Sequence, residues 1–321
     1  MTKPGIAFIG LGIMGHRMLT NMTAHGGFNL VGGWDPSTRA RDKTAAAFPA
    51  LPLVEDPATI IEAAGTDVVY IACPPAAHKA HALAALAAGK AIWCEKPLGV
   101  DLAESRALVQ AVEEAGAKNA INFPFADGQA ANLIDRELKA GKLGAIAGVD
   151  IRLHFSRWPR DWQAEATWLA ERAEGGYVRE VFSHFVYLVR RLLGPAELRD
   201  AALRFPEDPR LCETHFTALL DCAGIPVSAA GGSGGTGPDR VEFTLWGAER
   251  SYRLWDWNRL QSSAGGDWQD ELTELADPRQ DGYRRMLDNF LAFLAGEPNT
   301  MPSFREALEV QAVVEAILSR A

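Results

Sequence analysis

Six residues near the start of the chain, Gly10-Leu11-Gly12-Ile13-Met14-Gly15, constrain the fold more than any other feature. They follow the apolar run Ile6–Ile9 and lead into a stretch of helical character from Met14 to Ala24. A strand that turns into a helix through glycines at this spacing has a physical purpose. Gly10 makes the tight turn, Gly12 lets the backbone approach a pyrophosphate, and Gly15 lets helix and strand pack closely. The helix start, at Ile13 and Met14, then offers free N–H groups and a positive dipole end to phosphate oxygens. Asp35 ends the second strand, Leu30–Trp34, twenty residues after Gly15. A carboxylate there accepts hydrogen bonds from ribose hydroxyls, and its charge favours NAD over NADP. Arg39 and Arg41 follow closely and keep NADP possible.

The rest of the first third repeats the same grammar. Pro36-Ser37 opens a helix through Phe48 with Ser37 as cap. Asp67–Ala72 and Ala91–Cys94 read as strands on either side of an alanine-rich helix, Ala76–Ala88. Asp101 caps a helix to Ala115, and Ala120–Phe123 is another strand. Strands spaced this way with helices between them indicate a parallel sheet. After Phe123 the pattern changes. A helix from Gln129 to Ala140 precedes a long strand, Ala145–Phe155, and a loop rich in Trp and Arg. Paired glycines, Gly175-Gly176, precede an apolar helix from Val178 to Leu193. From Ala196 to about Leu260 strands alternate with turns, with Gly231–Gly235 read as a hairpin tip, and helices at 283–295 and 304–320 close the chain. The expected fold class is therefore α/β: an N-terminal Rossmann domain, residues 1–123, with a parallel sheet. An α+β domain, residues 124–321, follows with a large, mostly antiparallel open sheet.

Composition narrows the function. The net charge of -9 argues against nucleic acid as a partner, since phosphate backbones are bound by clustered positive charge. Met1-Thr2-Lys3-Pro4 runs straight into a strand, with no signal-peptide core and no apolar span of membrane length. The expectation is a soluble cytoplasmic protein with no membrane partner. Four cysteines show no metal or disulfide spacing, and Cys73 and Cys94 read as small buried hydrophobes. His78 and His81 lack a third ligand, so no metal is expected. Eight lysines stand against twenty-four arginines, which draws attention to Glu95-Lys96-Pro97 after the fourth strand. In a parallel sheet that strand end faces the ligand crevice, where an ammonium is suited to proton exchange. Pro97 fixes the turn and admits a cis bond. A surface lysine paired with Glu95 is an equally good reading of position alone.

Taken together, Gly10–Gly15, the stretch Cys73-Pro74-Pro75-Ala76-Ala77-His78 and the stretch Ala88–Leu98 resemble the glucose–fructose oxidoreductase / inositol dehydrogenase / MocA family. Leu133-Ile134 with Gly141-Lys142-Leu143-Gly144, and the closing Pro302–Leu308 run, are similar to later segments of that family. The resemblance implies NAD(P)-dependent oxidation of a hydroxyl on a small sugar, cyclitol or related alcohol, or the reverse reduction. It implies a cofactor site of Gly10, Gly12, Ile13, Met14, Gly15, Asp35, Cys73, Pro74, His78, Glu95, Lys96 and Asn122. It also implies a catalytic Lys96, and a homodimer or homotetramer built through the open sheet face.

The family's second catalytic pair, an Asp and a His four positions later, corresponds here to Glu180 and His184 on the helix after Gly175-Gly176. On a regular helix these share one face. Glu180 adds a methylene where Asp is usual, Phe182 replaces a common Gly, and Asn122-Phe123-Pro124-Phe125 lacks an arginine that many relatives place nearby. Those departures put the substrate in question more than the hydride chemistry. Trp158, Arg160, Trp162 and Trp168 are candidate substrate contacts, since aromatic faces stack on sugars and arginine holds anions. The rival expectations are a non-sugar substrate, such as an aromatic diol or an imine, and a dinucleotide-binding sensor without catalysis.

Overall fold

Parallel pairing organises the first part of the chain. The computed structural model describes residues 2–320. Strands β1 (Gly5–Ile9), β2 (Asn29–Trp34), β3 (Val68–Ile71), β4 (Ala91–Glu95) and β5 (Asn119–Asn122) form one sheet in the order β2-β1-β3-β4-β5. Every adjacent pair is parallel. Helices α1 (Ile13–His25), α2 (Thr38–Ala47), α3 (Pro57–Ile61), α4 (His78–Ala87) and α5 (Leu102–Glu114) connect the strands. β1 and β3 are buried along their whole length, as strands covered on both faces must be. Ser37 accepts the Ala40 N–H and Asp101 the Glu104 N–H, so both expected caps are in place. The sequence reading missed α3, a single turn capped by Asp56.

The later strands are β6 (Ile146–Phe155), β7 (Ala196–Arg204), β8 (His215–Cys222), β9 (Ile225–Ser233), β10 (Arg240–Gly247), β11 (Ser251–Trp255), β12 (Arg259–Ser263) and β13 (Gln269–Glu271). They form an eight-stranded sheet in the order β13-β12-β11-β10-β6-β9-β8-β7. It is antiparallel except for β6 against β9. Inward residues alternate with outward ones. On β8, Phe216, Ala218 and Leu220 are buried, whereas His215, Thr217 and Leu219 are exposed. Helices α6 (Gln129–Lys139), α7 (Ser183–Leu193), α8 (Pro278–Ala295) and α9 (Phe304–Leu318) complete the chain.

One expectation needs correction. Gly231 and Gly232 lie inside β9 rather than at a hairpin tip, because a Cβ there would stand 2.5 Å from Phe216 and 2.6 Å from His215. The turn is formed further on, where Gly234, Gly235 and Gly237 take positive φ. One compact unit runs to Phe123 and takes in Leu287–Glu309; the other comprises Pro124–Met286 and the chain from Val310 onward. The returning segment is held in the first unit by side chains. Phe290 stacks on Trp93 at 4.0 Å, Asn119 accepts the Phe304 N–H at 2.8 Å, and Arg305 pairs with Glu113.

Candidate active site

In the first unit the C-terminal ends of the parallel strands carry the sequence-predicted nucleotide residues. The strand order reverses between β1 and β3, which in open sheets opens a crevice for ligands. Gly10 has φ +96°, and a Cβ on it would meet Cys73 N at 2.5 Å. A Cβ on Gly15 would lie 2.2 Å from Gly10 O, so turn and helix touch through bare backbone. Around Gly12 nothing comes within 4 Å of that position. α1 starts there without a side-chain cap, which leaves the amides of its first turn, at Ile13 and Met14, for an external acceptor. Asp35 is fixed behind this turn: its Oδ2 accepts the Leu11 N–H and its Oδ1 the Ser37 N–H, each at 2.8 Å. Arg41, considered as a partner for a 2′-phosphate, donates instead to Asp35 O and Glu55. The open glycine, uncapped helix and fixed carboxylate fit the diphosphate and ribose of NAD.

The next strand ends are tied together by one buried carboxylate. Glu95, at the end of β4, accepts the Tyr70 hydroxyl from β3 and Asn122 Nδ2 from β5, the latter at 2.7 Å. Glu95 is 5% exposed, so it is a buried carboxylate rather than a surface one. Half-buried Lys96 follows directly, and its bond to Pro97 is cis. His78 braces the neighbouring loop. Its Nε2 lies 2.8 Å from Cys73 O and its Nδ1 2.9 Å from Pro97 O. Burial holds its pKa down to about 4, against backbone bonds at Cys73, Pro97 and Leu98 that favour the cation, so the ring is neutral at pH 7. Burial also pushes the Cys73 thiol up to about 12, which leaves it a hydrophobe rather than a nucleophile. Pro74 is exposed beside it.

In the second unit, the helix expected to carry Glu180 and His184 starts irregularly. Val178–Phe182 form a π-helical turn that passes into α7 at Ser183. Such a turn inserts a residue, so the pair does not stack as on a regular α-helix. His184 is 7% exposed and meets two rings edge-on, Trp257 at 5.6 Å and Phe125 at 6.2 Å. Arg191 donates to the carbonyls of Phe125 and Ala126, which holds that ring in place. Glu180 is half-buried. Nearby, Arg179 pairs with Glu315 and Arg191 bonds the carbonyls just named. Phe182 packs on Phe216 at 4.9 Å, fully buried in the core.

The Trp/Arg loop divides. Trp158 packs on Phe155 and Tyr177 and donates to Leu169 O at 3.0 Å, which makes it part of the fold. Arg160 lies over Phe155, Trp158 and Trp162, 4.7 Å from the last, and bonds Gln163. Trp162 is 48% exposed and Trp168 half-buried. Arg152, on the strand before this loop, lies on the open sheet face beside Asp150. Trp257 was missed by sequence reading. It sits in the β11–β12 turn with φ +67°, and nothing in the local pattern relates it to His184. Among the described residues no group of three His, Cys, Asp or Glu side chains could hold a metal ion, and no helix is long and apolar enough to cross a membrane.

Comparison with known proteins agrees with this construction. Residues 5–123 match the model of an oxidoreductase family with an NAD-binding Rossmann fold, and residues 136–321 match that family's C-terminal alpha/beta domain. An inositol 2-dehydrogenase of Rhodococcus erythropolis is 38% identical over 35% of this chain and 33% of its own. A scyllo-inositol 2-dehydrogenase (NAD(+)) of Bacillus subtilis is 29% identical over 59% of this chain and 53% of its own. These matches span between a third and about half of each relative's length. Levoglucosan dehydrogenase, solved with NADH and levoglucosan, superposes with a TM-score of 0.88 at 21% identity, covering 99% of this chain and 97% of that one. An oxidoreductase from Agrobacterium radiobacter, solved with NAD+, L-tartaric acid and magnesium, gives 0.85 at 19% identity, over 98% and 95%. Those two likenesses establish the fold. With the family's two domain models covering nearly the whole chain, the protein belongs to the glucose–fructose oxidoreductase / inositol dehydrogenase / MocA oxidoreductase family.

Proposed function

We propose that the protein is an NAD-dependent dehydrogenase acting on a CH–OH group of a small cyclitol, sugar or related alcohol. The observation that carries this reading is the open Gly12 turn with the Asp35 carboxylate fixed behind it. NAD, when bound, supplies the hydride acceptor. Lys96 serves as acid–base at the substrate oxygen, with its backbone steadied by the Glu95 bonds to Tyr70 and Asn122. His184 shares that proton, held by the Phe125 and Trp257 rings, and Glu180 orients the substrate. Exposed Trp162 and half-buried Trp168 are better candidates for sugar contacts than Trp158, which is tied to Leu169 O. The inositol and levoglucosan dehydrogenases among the relatives support the substrate class.

The first unit serves the cofactor and the second the substrate. The protein works in the cytoplasm as a homodimer or homotetramer, and exposed Leu219 and Trp246 on the open sheet face support self-association. A rate screen over inositols, sugars and non-sugar alcohols with NAD and NADP tests the reading. Activity on a cyclitol or sugar with preference for NAD is expected; no activity on any polyol overturns it.

A further inference from the structure

The segment that carries Glu180 and His184 has no side-chain cap from its own preceding residue, Tyr177. Its start is held from a distant part of the sequence. Val178 N–H donates to Glu213 Oε1 at 2.8 Å, and Glu213 lies just before β8 with 3% exposure. The paired glycines create room for this contact. Gly176 has φ +94°, and a Cβ on it would stand 2.5 Å from Glu213 Oε2 and 2.7 Å from Oε1. A Cβ on Gly175 would lie 2.3 Å from Trp168 O. The carboxylate therefore lies directly against the glycine backbone, and any larger residue at 176 would displace it.

The surroundings of Glu213 do little to neutralise it. Arg179 forms a bidentate pair with Glu315 at 2.6 and 2.9 Å, which spends most of its charge there. Glu315 itself, Tyr177 and Cys212 are the other titratable groups nearby, and none is a cation. Burial pushes the carboxyl up to about 7, against the N–H bonds and Arg179, which lower it. Because the folded pKa exceeds the ordinary 4.5, this group stabilises the fold fully below about 4.5, and that contribution is lost as pH rises through about 7. An amide of the same shape avoids this loss. Holding a carboxylate here costs stability, which points to work done by its charge.

We propose that Glu213 is a positioning residue for the acid–base helix: its ionised carboxylate, lying against Gly176 and accepting the Val178 N–H, sets the π-helical turn that places Glu180 and His184. An ionised acceptor holds an N–H about twice as strongly as a neutral one and complements the positive helix end. Protonation weakens the anchor and turns one oxygen into a donor. The inference rests on the reading that His184 acts on the substrate.

Glu213→Gln keeps size and an acceptor oxygen but removes the charge, and kcat is compared with wild type from about pH 5.5 to about pH 9. The expected ratio of wild-type to variant kcat is about tenfold at pH 8 and shrinks toward unity below pH 6, since a protonated Glu213 resembles Gln. KM for NAD stays unchanged, and the variant melts no lower than wild type at pH 8. Glu213→Asp keeps the charge but withdraws it by a methylene, and lowers kcat across the range. A loss in the Gln variant that does not vary with pH, or wild-type kcat in either variant, overturns the proposal. If the Gln variant does not fold, the Asp variant decides by the same criterion. His184→Ala separates the two readings: full turnover there removes the acid–base role itself, whereas lost turnover beside a flat Gln ratio removes only the role of Glu213.

Discussion

Asp35 accepts the Leu11 amide at 2.8 Å, so the acid expected to bind the ribose also fixes the glycine turn expected to bind the diphosphate. On the proposed reading, one carboxylate couples the two halves of nucleotide recognition. Asp35→Ala should therefore raise KM for NAD by about tenfold or more, because a charge-assisted hydrogen bond contributes roughly 1.5–3 kcal/mol. Asp35→Asn, which keeps one acceptor, should lose less. Initial rates against NAD concentration measure both, and an unchanged KM in the Ala variant removes Asp35 from the site.

Lys96→Ala should lower kcat by about 10²–10⁴-fold, the usual contribution of a positioned acid–base group. NADH binding, followed by fluorescence, should persist, since the glycine turn and Asp35 are untouched. Wild-type turnover in this variant would leave Lys96 no part in proton transfer.

Tyr70→Phe removes one of the donors that Glu95 accepts from. Urea unfolding should show a loss of about 1–3 kcal/mol, the cost of leaving a buried acceptor short of a partner.

Arg179→Met leaves Glu315 half-buried without its bidentate partner and frees the carbonyls of Arg172 and Gly175. A loss of about 3–5 kcal/mol is expected from breaking such a pair on one side. The double variant with Glu315→Met should recover part of it, because both charges are then gone. A double variant as unstable as the single one would assign the loss to the freed carbonyls.

His78 gives a pH dependence of known sign. Its folded pKa of about 4 lies below the ordinary 6.5, so the unfolded chain binds the proton more tightly. Stability from this group is complete above about 6.5 and is lost as pH falls through 4. The stability of wild type relative to His78→Gln should shrink over that interval. Chemical denaturation at several pH values measures it; a constant difference would show that the ring is not buried neutral.

Local pattern made much of this molecule legible. The strands of the first unit, the caps Ser37 and Asp101 and the Gly10–Gly15 turn follow from residues close in sequence. Glu95 stood out in the sequence, but its partners did not, since Tyr70 and Asn122 meet it only through strand pairing. The same limit hid Glu213, thirty-five residues from Val178, and Trp257 beside His184. The paired glycines were seen, but their cause, a carboxylate and two carbonyls pressed against the backbone, lies in tertiary structure. The π-helical turn escaped because Val178–Leu193 has the apolar pattern of an ordinary helix.

The stack of Phe290 on Trp93 also bears on how the chain is made. A ribosome finishes β1 to β5 long before it reaches residue 287, at about 5–20 residues per second. Until then Trp93 has its edge contact with Tyr70 but lacks the ring that stacks on it, and Asn119 lacks the amide it accepts. The nascent nucleotide-binding sheet thus waits, incomplete, through synthesis of most of the second unit. A fragment cut at Phe123 inherits that gap permanently, which makes this end of the chain a poor candidate for expression as a separate module.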